Sequence, residues 1–431
     1  MSGLRTMPRM TEAAVSGRSR VVIMCALVLA GEMIFSLPFH LPRYFRPSFL
    51  EGLGLSNTEL GDVFAVYGIT AMLAYFPGGL LADRLPPRLL IVGSLLATAA
   101  GGLFMAALPG PRGLGLLYAY WGLTTILLFW GAMICAVRDW GGAAAQGRAF
   151  GILDGGRGLV SAVFATAAVL VFDPGLPGAA LSATDRADGL SRVAVFYAVA
   201  TALAAVFAWW ALPSGSARRN GSAAGLTAVM QLLRYPSLWL QAVVIVCAYC
   251  GFKGLDNYAL YAFEVLHLSE TEAAFFATAN AYLRPVAALL AGLLADRVGL
   301  SRLSTALFCL LAVCYGTLAV ISPVSLPVTL IMANLLCSAV AVFALRGIYF
   351  GLFEEGGVPR HLTGAATGLV SVVGFTPDIF FAPLAGRLLD AAPGLAGHQH
   401  YFLLLSGLAI GGILAAGLLC RRPPTGRQPT T

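Results

Sequence analysis

The sequence predicts an all-α membrane protein of twelve transmembrane helices, arranged as two pseudo-symmetric bundles of six. Three observations carry this expectation. The chain is 58% hydrophobic and 11% charged, against a charged share of roughly 25% in soluble proteins. Apolar runs of about 20 residues, the length that crosses a bilayer, recur from Val21 to Cys420 between short charged or Pro/Gly-rich breaks. Finally, the stretch from Ser56-Asn-Thr-Glu59 to Gly79-Leu-Leu-Ala-Asp83-Arg84 returns as Ser269-Glu-Thr-Glu272 to Gly292-Leu-Leu-Ala-Asp296-Arg297, at a constant offset of 213. A gapless register across a whole span is the mark of duplicated transporter halves.

The first span runs about Val21 to Pro42, and a loop with Arg43 and Arg46 leads to Ser56. Ser56-x-x-Glu59 is a capping box, so the second span starts there and runs to Ala82. Spans three to six lie near Leu89–Leu108, Leu114–Val137, Phe150–Phe172 and Val193–Leu212. Spans seven to twelve lie near Ser237–Phe263, Thr271–Ala295, Leu303–Ile321, Leu326–Phe353, Leu362–Ala385 and Tyr401–Cys420, with Ser269-x-x-Glu272 capping the eighth. Gly158-Leu-Val-Ser161 and Gly368-Leu-Val-Ser371 repeat at offset 210, so the slip of three falls in loops, where length changes cost least. The domains are thus a tail over 1–20, a bundle over 21–212, a Ser/Gly/Arg-rich linker over 213–236, a second bundle over 237–420 and a tail over 421–431.

Charge gives the orientation. The termini and the even-to-odd turns hold 17 of the 27 Lys and Arg residues, and the opposite loops hold 6. Positive charge stays inside, which predicts cytoplasmic termini in an inner-membrane protein. The same scatter argues against a nucleic-acid surface despite a net charge of +7. The eight cysteines all fall in apolar segments and suggest neither disulfides nor a metal cluster, Cys247-x-x-Cys250 included. No Ser/His/Asp grouping points to an enzyme, and His398 and His400 sit in one short outer loop. No cofactor is expected.

These residues resemble the major facilitator superfamily over nearly the whole chain. The family's turn after its second span reads Gly-x-x-x-Asp-Arg-x-Gly-Arg-Arg. Here Gly79, Asp83, Arg84 and Arg88 match it, while Pro86 and Pro87 replace its second Gly and the following Arg. The second copy keeps Gly292, Asp296, Arg297 and Gly299. The resemblance implies a central cavity lined by spans one, four, seven and ten, rocking between two open states, and a latch role for these turns. The fourth span lacks an interior arginine, and the fifth carries Gly155-Gly156-Arg157-Gly158 where drug antiporters have a Gly-Pro element. Both departures weaken a multidrug reading.

An ionisable group at membrane depth costs roughly 2.5–3.5 kcal/mol on insertion scales and is a functional candidate by default. Lys253, the only lysine, lies about 24 Å into span seven, with Asp256 one turn on and Tyr258 nearby. It is a candidate for binding an anion, against the plainer reading of a self-neutralising Lys253–Asp256 pair. The 213 offset maps Lys253 onto His40 and Asp256 onto Arg43. Some organic-anion and organophosphate branches of the superfamily use a basic residue from each of these two spans, which is a loose resemblance. Arg43 and Arg46 are expected either to line the outer mouth of the cavity or to serve as plain loop residues. Arg346 in span ten is the second anion candidate, with a gate pair to Glu354 or Glu355 as its rival. Arg284, beside Pro285, is expected to pair with Asp154 or Asp378. Asp154 and Arg157 share a face of span five. Asp378, in Thr376-Pro-Asp378, has no sequence-adjacent base and ranks first as a proton carrier, ahead of Asp256, Asp154 and Glu32.

The expected function is secondary transport of a small organic anion by alternating access, coupled to protons or a counter-substrate, by a monomer in the bilayer. The alternatives are an exporter of a neutral or cationic metabolite or siderophore, and a non-transporting membrane sensor or partner subunit.

Overall fold

The computed structural model describes residues 17–142, 146–173, 181–214, 232–322, 325–352 and 363–421. Among these, twelve helices are long and apolar enough to cross a membrane. They are α1 (Arg20–Tyr44), α2 (Asn57–Ala82), α3 (Pro87–Ala106), α4 (Pro111–Gly141), α5 (Arg148–Phe172) and α6 (Ala183–Ala211), then α7 (Pro236–Glu264), α8 (Glu270–Val298), α9 (Leu300–Val320), α10 (Val328–Gly351), α11 (Gly368–Ala391) and α12 (Leu395–Cys420). The fold is all-helical, with α1–α6 and α7–α12 as its two bundles; α2 against α11 and α5 against α8 carry most of the contact between them.

The start signals that sequence offers are in place. Ser56 Oγ accepts from the Glu59 N–H at 3.1 Å while Glu59 accepts from the Ser56 N–H at 2.8 Å. Ser269 and Glu272 reproduce the box at the head of α8. A third box, Ser182 with Asp185, opens α6 ten residues before the sequence-based boundary. That boundary followed hydropathy, and the first turns of α6 are polar: Asp185, Arg186, Asp188 and Arg192 belong to the helix. For the same reason α12 begins at Leu395 rather than Tyr401. His398 is therefore a buried helix residue, bonded to Glu264 at 2.9 Å, and not a loop residue.

Several helices are irregular where the cavity forms, among them α4, which is π-helical over Leu123–Trp130. Pro38 has no N–H to offer, and Ser36–His40 widens into a π-helical turn, the kind of bulge that gathers at functional sites. The chain then continues as helix through Tyr44, so Arg43 stands on α1 and not in a loop. Arg46 is also buried, donating to Asn57 at 3.0 Å. Span eleven breaks after Gly374 and restarts at Pro377, which sets Asp378 in the first turn of a new helical segment.

The halves close at one end. A Cβ on Gly61 would strike the carbonyl of Ala382, and one on Gly68 the carbonyl of Asp378, so α2 and α11 touch backbone to backbone. At that end the Asp390 carboxylate accepts from the N–H groups of Asn57 (3.2 Å) and Thr58 (2.6 Å) at the start of α2. Glu270 takes Arg186 at 2.5 Å and the Ser48 hydroxyl, and Thr271 donates to Asp173 at 2.8 Å. Between the Arg284–Asp154 pair and the latch turns, no hydrogen bond or ion pair joins the halves among the described residues. A methyl on Gly79 or Gly292 would meet open space. The bonds between the halves named here thus lie at the Asn57 and Glu270 end, away from the Gly79 and Gly292 turns.

Overpacking a tight helix contact costs about 1–3 kcal/mol. Gly68→Ala is expected to lower the thermal stability of the detergent-purified protein by that order, whereas Gly93→Ala, which faces open space, leaves it unchanged or slightly raised. Equal behaviour of the two variants would show that α2 and α11 are not pressed together in solution.

Candidate functional site

A cavity of about 120 Å³ lies between the halves at mid-membrane. Helices α1, α4, α7 and α10 line it, joined by α2, α5, α8 and α11. Its wall holds Arg43, Arg157, Lys253, Arg284 and Arg346 against Glu32 and Asp378. Asp154 and Asp256 stand just behind, each held by one of those bases.

The charges sort into two neutral groups. In the first, Glu32 accepts from Arg157 at 3.1 Å and from His40 at 3.1 Å, and lies 3.8 Å from Arg284, which in turn bonds Asp154 at 2.6 Å. Of the two partners open to Arg284, the fold thus brings Asp154. In the second group Arg43 pairs with Asp256, and Lys253 lies 3.6 Å from Asp256 and 3.4 Å from Asp378. Asp378 also accepts from the Tyr249 hydroxyl at 3.0 Å. The carboxylate that looked unpartnered in sequence has its base on span seven, a pairing that no local spacing could reveal.

For Lys253 the described state shows the plainer alternative, a pair with Asp256, joined by Asp378. It is buried between two carboxylates and sits over the rings of Phe39 (4.4 Å) and Phe64 (5.2 Å), so in this state its charge is already answered. Asp256 lies behind the wall and does not face the cavity. Tyr258 is turned away, its hydroxyl 2.6 Å from Ser338 in the packing of the second bundle. Five residues separate it from Lys253, which places it about 140° round the helix on another face.

Arg346 is the exception among the bases. Its guanidinium stacks on Phe252 at 3.9 Å and lies 5.7 Å from the Tyr249 ring. Its Nε and Nη1 are buried without a hydrogen-bond partner. Glu354 and Glu355, the rival gate partners, lie outside the described residues. Among the latch residues, Arg88 stacks on Trp209 at 3.9 Å, while Arg84, Asp296 and Arg297 are exposed and make no ion pair among the described residues. Asp83 closes the same turn as part of the helix, with its side chain outside the described set.

Sequence reasoning missed the aromatic lining and the glycines of the closed end. Gly61 and Gly68 are seven residues apart, hence on one helix face, which was the available signal.

Comparison with known proteins now applies. The sequence model of the Major Facilitator Superfamily matches residues 21–381. The chain belongs to this superfamily. It is 26% identical over 405 residues to the inner membrane protein YihN of Escherichia coli (strain K12), covering 92% of this chain and 94% of that one. It is 24% identical over 404 residues to the inner membrane protein YqcE of the same organism, covering 92% and 93%. Among solved structures, a bacterial homologue of the human lysosomal transporter Spinster, inward-facing and unoccupied, superposes with a TM-score of 0.73 at 14% identity, covering 94% of this chain and 98% of that one. The nucleoside transporter NupG gives a TM-score of 0.65 at 14% identity, covering 94% and 99%. This superfamily member is thus a multi-pass membrane protein of a transporter fold.

Removing one partner of a buried ion pair strands the other and costs roughly 3–5 kcal/mol. Glu32→Gln, which leaves Arg157 without its carboxylate, is expected to lose stability on that scale. Asp62→Asn, whose pair with Arg387 is half-exposed, should change stability by less than about 1 kcal/mol. Thermal unfolding of the two variants in detergent makes the comparison, and a loss for Asp62→Asn as large as that for Glu32→Gln would contradict it.

Proposed function

We propose that the protein is a secondary transporter of a small organic anion, working by alternating access with proton or exchange coupling. The supporting observation is the charge balance of the cavity. Arg157 and Arg284 are matched by Glu32 and Asp154, and Arg43 and Lys253 by Asp256 and Asp378. Among the described residues, Arg346 is left over. A single uncompensated guanidinium facing a membrane cavity is stabilised by a bound anion and is costly without one.

In this reading Arg346 binds the substrate, and Lys253 holds Asp378 until a proton or counter-substrate exchanges with it. Asp378 stands in the first turn of a half-helix, 3.4 Å from Lys253, so a proton taken up there replaces that ion pair. Protonated Asp378 releases Lys253, which adds a second positive charge to the site. The halves then move by breaking the cavity pairs that cross between them, Arg43–Asp256, Arg284–Asp154 and Arg284–Glu32, while Lys253 stays with Asp256 and Arg157 with Glu32 inside each bundle. The two bundles, 21–212 and 237–420, act as the moving bodies of a monomer, with the 213–236 linker between them. The 17-to-6 bias of positive charge supports cytoplasmic termini, and the Gly79 and Gly292 turns would then face the cytoplasm. The names of the two bacterial relatives support an inner-membrane site. A cation or neutral-metabolite exporter would call on Asp256 or Asp378, and both are held by bases.

Thermal unfolding against organic anions, neutral sugars and organic cations tests the assignment, because a ligand of the folded state raises apparent stability by mass action. One anion class should stabilise the wild type and fail with Arg346→Gln. Stabilisation by neutral or cationic compounds alone, equal in the variant, would refute it. In proteoliposomes Asp378→Asn is expected to keep substrate exchange and lose accumulation driven by a pH gradient. Wild-type accumulation in that variant would remove Asp378 from the coupling step.

A further inference from the structure

The charge balance specifies one negative charge, and the walls specify what that charge is attached to. Phe35, Phe39, Tyr75, Trp130, Phe252 and Phe375 all line the cavity, and no Asn, Gln, Ser or Thr does among the described residues. The two further tyrosines have committed hydroxyls. Tyr67 is bonded to Thr125 at 2.8 Å, and Tyr249 donates to Asp378. The polar groups left for a hydroxylated body are His40, the Tyr75 hydroxyl and the Trp130 indole N–H, so a sugar acid with several hydroxyls would lose more hydrogen bonds to water than this lining replaces, which opposes binding. With Asp378 ionised and paired to Lys253, as in the described state, a dianion would leave the cavity one charge negative. An aliphatic amine would meet Arg346.

Size and shape narrow the choice. The cavity of about 120 Å³ is on the scale of the roughly 150 Å³ apolar cavity that takes up one benzene. Ring faces accept another ring by offset or edge contact. The Arg346 guanidinium is flat and held on Phe252, and its fork matches a carboxylate in two-point geometry.

We propose that the site takes a small aromatic monocarboxylate of the benzoate or phenylacetate type, with its carboxylate on Arg346 and its ring among the aromatic walls. The proposal rests on the anion reading above and adds the chemistry of the body. It concerns the uncharged part of the ligand, so the two readings fail separately.

The test uses the full-length protein in detergent, with binding followed by apparent unfolding temperature and by equilibrium uptake of radiolabelled benzoate. Benzoate and phenylacetate are compared with gluconate and lactate (hydroxylated monoanions), terephthalate (a dianion) and benzyl alcohol (a neutral ring). Saturable benzoate binding is expected, at least tenfold tighter than that of gluconate, lactate or terephthalate. Arg346→Gln should weaken it at least tenfold. Arg346→Lys, which keeps the charge and loses the fork, should weaken it severalfold and serves if the glutamine variant does not fold. Phe375→Leu should weaken benzoate and leave the weak binding of lactate unchanged. Arg346-dependent binding of gluconate or lactate with none of benzoate overturns the aromatic assignment and leaves the anion reading intact. Binding of benzyl alcohol as tight as benzoate and indifferent to Arg346 overturns both. Absence of any benzoate binding by the folded wild type also overturns the proposal.

Discussion

Everything at the centre of this protein follows from the cost of a charge without water. Five bases and four acids stand at membrane depth: Arg43, Arg157, Lys253, Arg284 and Arg346, with Glu32, Asp154, Asp256 and Asp378. Each needs an opposite partner or a ligand. Each bundle answers one pair internally, Glu32–Arg157 in the first and Lys253–Asp378 in the second. Two more pairs, Arg43–Asp256 and Arg284–Asp154, span the bundles. The internal pairs give each bundle its own integrity, and the spanning pairs bind the bundles in this one state.

This division bears on movement. A charge in a spanning pair depends on the other bundle for its partner unless its own bundle supplies a second. Asp256 has Lys253 at 3.6 Å within its own bundle. Arg284 has Glu32 at 3.8 Å, but that pair spans the bundles as well, so its own bundle supplies Arg284 with no second carboxylate among the described residues. The closed end works with different chemistry. There, glycine backbones let α2 and α11 meet, and carboxylates reach helix starts across the interface, as Asp390 does on Asn57 and Thr58. The carboxylate contacts there are charge-assisted and directional.

The pseudo-symmetry has a local consequence at the midline. Arg43 and Asp256 are separated by the repeat offset of 213 and bond each other. Residues at equivalent places in the two halves meet where they lie close to the axis relating the halves. Duplication followed by divergence has given these two positions opposite charge, so a contact that would repel between identical residues attracts.

Much of this was legible in the sequence. The twelve spans follow from hydropathy, and the two halves from a register that survives without a gap. The starts of α2 and α8 follow from capping boxes whose partners are three residues apart. These are local signals, set by neighbours in the chain. The candidate charges were legible too, because an ionisable residue within an apolar run stands out whatever surrounds it. Their partners were not. Asp378 and Lys253 are 125 positions apart in sequence, and Asp154 and Arg284 are 130 apart, so only the packing of one helix on another could join them. That packing also brought Arg43 in from a supposed loop, and neutralised Lys253 while leaving Arg346 alone. The sequence by itself determined which helices cross the membrane and which charges they carry into it. The tertiary structure decided which charge remains unanswered, because pairing depends on distance in space and the chain encodes only order.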